Sequence, residues 1–175
     1  VMIGYVQQTG LEQPAENGHD SVRIDNLLYR LNSISHTLLS LLHSDKTRDT
    51  VNKILYEVLT MFRGDRAYII EFDWEKHTHS CTYEVTGAGV SSEQDRLASI
   101  PMAEFPWWTE HISKGNSIIL SDIGDLPPAA ADERDLLAAQ DIKSLLIMPL
   151  ASRDKVWGYA GIDIVDGRRE WTDED

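Results

Sequence analysis

Two pairs of strand-like segments, each pair joined by a short polar turn, constrain the fold of this chain most strongly. The first pair is residues 67–72 and 80–86, and the second is residues 143–150 and 156–165. Runs of apolar, aromatic and β-branched residues separated by a few polar ones are typical of β-hairpins, in which the strands are antiparallel. The sequence therefore predicts a sheet built around two antiparallel hairpins.

Helical patterns precede and separate these strands. A wide apolar stripe over residues 45–62 predicts a helix that packs on a sheet, with Gly64 as its C-cap glycine. A second helix over 105–114 begins at Pro106 and is closed by Gly115. The order of elements that follows favours an α+β fold with helices on both faces of an antiparallel sheet.

After the helix over 105–114, the sequence predicts a short strand over residues 117–121. Asp132 is placed to cap a third helix over 133–140. The predicted order is helix, strand, strand, helix, strand, helix, strand, strand.

The first 44 residues differ from the rest. Residues 1–20 are polar with scattered glycine and proline, which predicts a flexible leader or linker. Residues 21–44 predict a long helix, because apolar side chains recur at alternating spacings of three and four. These side chains are Ile24, Leu27, Leu31, Ile34, Leu38 and Leu41. The helix either forms a dimer seam or covers the domain's own core.

Composition limits the partners and the compartment. Sixteen basic residues against twenty-nine acidic ones give a net charge of −13, which disfavours nucleic acid and anionic lipid. The single cysteine, Cys81, cannot form an internal disulfide, so we expect a cytoplasmic protein without direct membrane contact. Thr172 and the acidic residues after it are typical of a helix start, so we expect a fragment truncated before its C-terminal helix.

Four local sequences, in their order and spacing, resemble the GAF family. They are Gly64-Asp65-Arg66-Ala67, Phe105-Pro106-Trp107-Trp108, residues 142–150, and Trp157-Gly158-Tyr159-Ala160-Gly161, and the resemblance covers roughly residues 45–175. It implies a central antiparallel sheet of five or six strands, with terminal helices on one face and a small-molecule pocket on the other. It also implies a homodimer that is linked to an output module such as a histidine kinase.

Two acidic residues, Glu71 and Asp163, interrupt otherwise apolar strands, and a buried carboxylate needs a partner. Either both face the pocket, or Glu71 ends its strand at the solvent edge and Asp163 pairs with an arginine such as Arg66. A carboxylate in the pocket would favour a cationic or hydrogen-bond-donating ligand.

Aromatic residues supply further pocket candidates. Trp107 and Trp108 project about 100° apart on a helix, so we expect one to pack in the core and the other to border the cavity. The full set of candidate pocket residues is Glu71, Tyr83, Trp107, Trp108, Met148, Tyr159 and Asp163. For each aromatic residue, simple core packing is the alternative role.

The sequence contains no motif of a catalytic or metal centre. It has no Gly-x-Ser-x-Gly elbow, no phosphate-binding glycine loop, and no metal-ligand spacing among its six histidines. GAF-type methionine sulfoxide reductases need several cysteines and this chain has one, and the Asn-Lys-Phe-Asp-Glu signature of cyclic-nucleotide binders is missing.

We therefore expect a non-catalytic sensory and dimerising domain that transmits a signal through its terminal helices. A ligand-free dimerisation or transmission domain is the alternative, and a redox enzyme of the same fold is a weaker one. The sequence names neither the ligand or cofactor nor the output domain.

Overall fold

The computed structural model describes residues 47–152 and 155–172. Within them the chain forms three α-helices: α1 (Thr47–Met61), α2 (Pro106–Ser113) and α3 (Ala131–Ala139). Short 3₁₀ turns at Met102–Glu104, Ile123–Asp125 and Pro128–Ala130 connect them to the strands. None of the helices in this part of the chain is long and apolar enough to cross a membrane.

The six strands of the described residues form one antiparallel sheet in the order β3-β2-β1-β6-β5-β4. The strands are β1 (Arg66–Asp73), β2 (Thr78–Thr86), β3 (Ile100–Pro101), β4 (Ile118–Leu120), β5 (Ser144–Ser152) and β6 (Lys155–Ile164). Both predicted hairpins, β1–β2 and β5–β6, are present, and β6 pairs with β1 to join them. The predicted α+β fold is confirmed, although the sequence pattern predicts no strand at β3.

Each face of the sheet carries its own core. The α1-side core contains Val51, Leu55, Leu59, Phe62, Ala67, Ile69, Leu150 and Ile162. The opposite core lies under α2 and α3, and its members from β1 are Tyr68, Ile70 and Phe72. Strand β1 thus sends alternate side chains to opposite faces, as the period of two requires.

The end of α1 corrects the predicted role of Gly64. Arg63, with φ of 48°, is the left-handed residue, and the N–H of Gly64 donates to the carbonyl of Leu59 at 2.8 Å. This is the bonding of a Schellman motif with Arg63 at C′. Gly64 is required for a different reason, because a Cβ there would lie 2.5 Å from Cγ2 of Ile162. Gly115, with φ of 81°, does close α2 as predicted.

The start of α3 also differs from the prediction. The helix begins at Ala131 after the turn Pro128–Ala130, and Ala130 occupies the N-cap position without a side-chain hydrogen bond. Asp132 therefore does not cap the helix. It lies with Glu133 in the first turn, where the helix dipole favours negative charge.

A β-bulge divides strand β2 into two halves that face opposite ways. Ile69 pairs with Tyr83 but the next residue, Ile70, pairs with Cys81, so Thr82 is an extra residue in β2. Because side chains alternate along a strand, one inserted residue reverses the face of everything beyond it. Tyr83 consequently packs against the α1-side core, whereas Cys81 belongs to the core under α2 and α3.

The predictions for residues 1–20 and 21–44, and for a helix beyond Asp175, lie outside the described residues.

Candidate functional site

A cavity lies between the sheet and helices α2 and α3. About 40 Å³ of it is open to the centres of water molecules, which is room for a few waters. Its apolar lining includes Tyr68, Ile70, Phe105, Trp108, Leu137 and Tyr159. Its charged or titratable lining includes Arg66, His79, Glu84, Glu93, Glu133 and Asp163. The cavity therefore combines aromatic walls with an excess of carboxylates.

Asp163 and its two partners form one wall of the cavity. The Asp163 carboxylate, 2% exposed, lies 3.4 Å from Nη1 of Arg66 and accepts a hydrogen bond from the Tyr68 hydroxyl at 2.9 Å. Burial raises the pKa of Asp163 to about 7, although the charge of Arg66 and the hydrogen bond from Tyr68 oppose the shift. Asp163 thus pairs with Arg66 and lines the cavity at the same time, so the two alternatives posed by the sequence are not exclusive.

The guanidinium of Arg66 connects four parts of the fold. Besides its contact with Asp163 on β6, its Nε donates to the carbonyl of Ser91 at 3.0 Å and its Nη2 to the carbonyl of Gln140 at 3.1 Å. Arg66 begins β1, Ser91 belongs to the β2–β3 segment (residues 87–99), and Gln140 ends α3. The planar, multidentate donor geometry of arginine suits this role.

Glu133 of α3 caps the neighbouring helix α2. Its Oε1 accepts hydrogen bonds from the backbone N–H groups of Trp107 at 2.9 Å and Trp108 at 3.3 Å, while the N-cap residue Phe105 has no polar side-chain atom. The N-terminal end of a helix dipole stabilises a carboxylate. Glu133 is 1% exposed, and its second oxygen, Oε2, has no hydrogen-bond partner in the described part of the chain.

His79 is a second buried polar group with a free atom. It is 3% exposed and lies between the rings of Phe72 and Phe105, at centroid distances of 6.4 and 4.8 Å. Burial lowers the pKa of His79 to about 4, so the imidazole is neutral at pH 7. Its Nδ1 finds no hydrogen-bond partner among residues 47–152 and 155–172.

The β2–β3 segment closes another side of the cavity with Glu93 and Leu97. Glu84 of β2 accepts hydrogen bonds from the backbone N–H groups of Glu93 at 3.0 Å and Gln94 at 3.3 Å. The carboxylate of Glu93 in turn lies 3.0 Å from Nη1 of Arg96. Carboxylates therefore hold the segment in place and face the cavity.

The structure brings three of the seven predicted pocket residues to the cavity: Trp108, Tyr159 and Asp163. Trp108 is 4% exposed, and Tyr159 accepts a side-chain hydrogen bond from it. Trp107 is half-buried and stacks on His111, with ring centroids 4.8 Å apart. Trp108 therefore both packs in the core and borders the cavity.

The other three predicted residues lie elsewhere. Tyr83 packs against the α1-side core with the guanidinium of Arg48 over its ring at 5.2 Å. Glu71 lies within β1, two residues after Ile69 and on the same face, and burial raises its pKa. Met148 pairs across the strands with Ala160, which packs against the α1-side core, so Met148 also lies on that face. Its Sδ accepts a hydrogen bond from the Ser117 hydroxyl at 3.1 Å.

Sequence reasoning missed several lining residues, and the signals for them differ. Tyr68 and His79 follow from alternation, because Tyr68 shares a face with Ile70, and His79 shares one with Cys81. Glu84 could not be predicted from simple alternation, because the bulge in β2 changes the face on which its side chain lies. Glu133 carries no local signal, since its contacts are with a different helix.

Cys81 is a buried free cysteine in the core under α2 and α3. Burial raises the pKa of the Cys81 thiol to about 12, which keeps it protonated and poorly nucleophilic. Among the described residues, no group of three or more His, Cys, Asp or Glu side chains is arranged to hold a metal ion.

Comparison with known proteins gives one family. Residues 47–175 match the family model of the GAF domain. The chain is 32% identical over 163 residues to the methanogenesis regulatory histidine kinase FilI of Methanothrix harundinacea (strain 6Ac), a match that covers 90% of this chain. The chain spans 18% of that relative's length.

Solved structures share the fold. The phycocyanobilin-bound GAF domain from a cyanobacterial phytochrome aligns with a TM-score of 0.61 and 19% identity, over 82% of this chain and 84% of that one. The blue-light-absorbing form of the Thermosynechococcus elongatus PixJ GAF domain aligns with a TM-score of 0.56 and 17% identity, over 69% and 70% of the two chains.

The first prediction concerns the two tryptophans. Trp108→Ala should lower the free energy of unfolding by about 3–5 kcal/mol, because it empties a large buried site. Trp107→Ala should cost much less, because this side chain is half-buried. Urea denaturation of both variants measures the difference, and equal losses would contradict the assignment of Trp108 to the core.

The second prediction uses Asp163→Asn. Between the usual pKa of an unfolded aspartate, about 3.9, and the folded value of about 7, the native carboxyl holds a proton that the unfolded one has released. Stability contributed by this group therefore falls as pH rises through that window, by at most about 1.4 kcal/mol per pH unit.

The measurement is the unfolding free energy of wild type minus that of Asp163→Asn. We expect this difference to decrease from pH 5 to pH 7 and to level off above pH 8. The opposing contribution of His79 is present in both proteins and cancels. Asp135→Asn, at an exposed site on α3, is the matched control. A difference that rises with pH across the window would contradict the raised pKa.

Proposed function

This chain belongs to the GAF domain family, and we propose that it is a non-catalytic sensory domain that binds a small molecule in the cavity under α2 and α3. The observation that carries the proposal is a cavity inside a well-packed core whose lining includes buried polar atoms without partners among the described residues. Buried polar groups are nearly always satisfied, so unpartnered ones at a cavity favour an occupant.

The relative supports a particular kind of output. FilI is described as a methanogenesis regulatory histidine kinase, and this chain corresponds to a small part of it. We propose that the domain is covalently linked to a histidine kinase or a similar output module in a longer cytoplasmic protein. The buried, protonated Cys81 argues against a redox enzyme of the same fold.

A route from the cavity to the ends of the domain runs through the start of β1. Arg66 contacts the cavity, and its neighbour Asp65 accepts hydrogen bonds from the backbone N–H groups of Val165 at 2.7 Å and Asp166 at 3.0 Å. Arg169 then donates to the carbonyl of Phe62, just after α1, and covers the ring of Trp171 at 4.6 Å. A shift at Arg66 would therefore reach both α1 and the chain that leaves β6.

The third prediction tests the binding site with a thermal-shift screen of small metabolites against the 175-residue chain. Leu137→Phe should abolish the stabilisation by a true ligand, because Leu137 lines the cavity. Leu55→Phe, the same overpacking change in the α1-side core, should preserve the stabilisation. If no compound raises the melting temperature, or if every compound acts equally on all three proteins, the ligand-free alternative replaces this proposal.

We further propose that residues 21–44 form the dimerisation helix. The seam Ile24, Leu27, Leu31, Ile34, Leu38 and Leu41 presents aliphatic side chains on a narrow stripe, as in a coiled coil. A two-fold contact places the same residues of both subunits opposite each other.

The fourth prediction is that Leu31→Glu separates the dimer, because it places like charges in a desolvated two-fold contact. Arg30→Glu, one position away and outside the seam, should leave the dimer intact. Light scattering reads the mass of each protein. A wild type that is already monomeric contradicts the seam, and a Leu31→Glu variant that unfolds shows that the helix covers the domain's own core.

A further inference from the structure

The charges that line the cavity are unbalanced. Four carboxyl groups, those of Glu84, Glu93, Glu133 and Asp163, line the cavity with one guanidinium, that of Arg66, and Glu93 also pairs with the exposed Arg96. All three nitrogens of this guanidinium already donate, to Ser91, Asp163 and Gln140. These bonds use three of the five N–H groups of the guanidinium, and an anionic occupant would meet repulsion from the carboxylates.

Two lining side chains also have acceptor capacity that nothing in the described residues uses. Oε2 of Glu133 and Nδ1 of His79 lack hydrogen-bond partners, and both side chains are more than nine-tenths buried. An ionised carboxylate oxygen can only accept, and Nδ1 of a neutral imidazole accepts in the tautomer that carries its proton on Nε2. An occupant that supplies N–H donors and positive charge would therefore complement these two side chains.

The remaining walls suit a cation as well. The rings of Tyr68, Phe105, Trp108 and Tyr159 line the cavity. Aromatic faces attract cations electrostatically, most strongly where water is excluded. The volume open to water centres, about 40 Å³, limits a bound molecule to a few heavy atoms unless the walls move.

Resting on the proposed function of the cavity as a ligand site, we propose that its ligand is a small organic cation with several N–H donors, of the amidinium or alkylammonium class. The cation donates to Glu133 and to His79 and lies against the aromatic rings. Binding also favours the ionised form of Asp163, so affinity rises with pH as this carboxyl loses its proton.

Three probes of the same four-heavy-atom skeleton test the charge requirement: acetamidinium, acetamide and acetate. Each is titrated into the 175-residue chain at pH 7.5 and constant ionic strength, and the melting temperature is recorded. Acetamidinium should raise it saturably, by about 3–6 °C at ten times its Kd. Acetamide should act more weakly and acetate not at all.

A pair of matched variants locates the site. Glu133→Gln removes the buried charge but keeps an oxygen that can accept from the N–H groups of Trp107 and Trp108. It should weaken acetamidinium binding at least about tenfold, the loss of one charge-assisted hydrogen bond. Glu110→Gln, an exposed position on α2 paired with Lys114, should bind as wild type does. If Glu133→Gln does not fold, Asp163→Asn replaces it, and it should weaken acetamidinium binding because it removes a carboxylate from the lining.

The outcomes of these titrations separate three claims: the cationic class of the ligand, the existence of a ligand site and its location. Acetate or acetamide binding as tightly as acetamidinium overturns the cationic class but leaves a ligand cavity in place. The absence of any saturable shift with acetamidinium overturns this inference, while the metabolite screen with Leu137→Phe decides the proposed function separately. Wild-type affinity in the folded Glu133 or Asp163 variant overturns the location.

Discussion

The buried pair of Arg66 and Asp163 is the interaction on which the rest of the structure depends. Taking two charges out of water costs several kcal/mol per ion, and only good geometry and further hydrogen bonds offset that cost. Here Tyr68, Ser91 and Gln140 supply those bonds, so β1, β6, the β2–β3 segment and the end of α3 meet at one guanidinium. The same carboxylate faces the cavity. A residue that supports the fold therefore also lines the candidate cavity.

At helix α2, too, one residue both supports the fold and lines the cavity. The helix has only eight residues, begins with a proline after a phenylalanine, and takes its N-terminal capping carboxylate from Glu133 of α3. Glu133 also lines the cavity, and its second carboxylate oxygen has no hydrogen-bond partner among the described residues. The α1 side of the sheet is packed by an aliphatic and aromatic core instead. One face of the sheet therefore carries an apolar core, and the other carries a core with a cavity lined partly by buried polar groups.

The sequence predicted what local periodicity encodes. The hairpins and the three helices of the described part follow from patterns of two or 3.6 residues. The Arg66–Asp163 pair is one of the two alternatives that the cost of an unpaired buried charge left open. Tyr83 was wrongly predicted to line the pocket because of a β-bulge at Thr82, and no glycine in β2 indicates that bulge in the sequence. Glu133 could not be found locally, because an acidic residue in a first helical turn is already explained by its own helix dipole.

The small size of the cavity constrains how such a domain can signal. Pockets for drug-sized ligands enclose roughly 300–1,000 Å³, far more than the space here, so a larger occupant would require the walls to separate. The walls are held by carboxylates: Glu84 holds the β2–β3 segment, and Asp163 holds Arg66. Separation of these walls would move Arg66 and loosen its contacts with Ser91 and Gln140. Because Asp65 lies next to Arg66 and holds the chain that leaves β6, a shift of Arg66 would also reach the residues that follow β6.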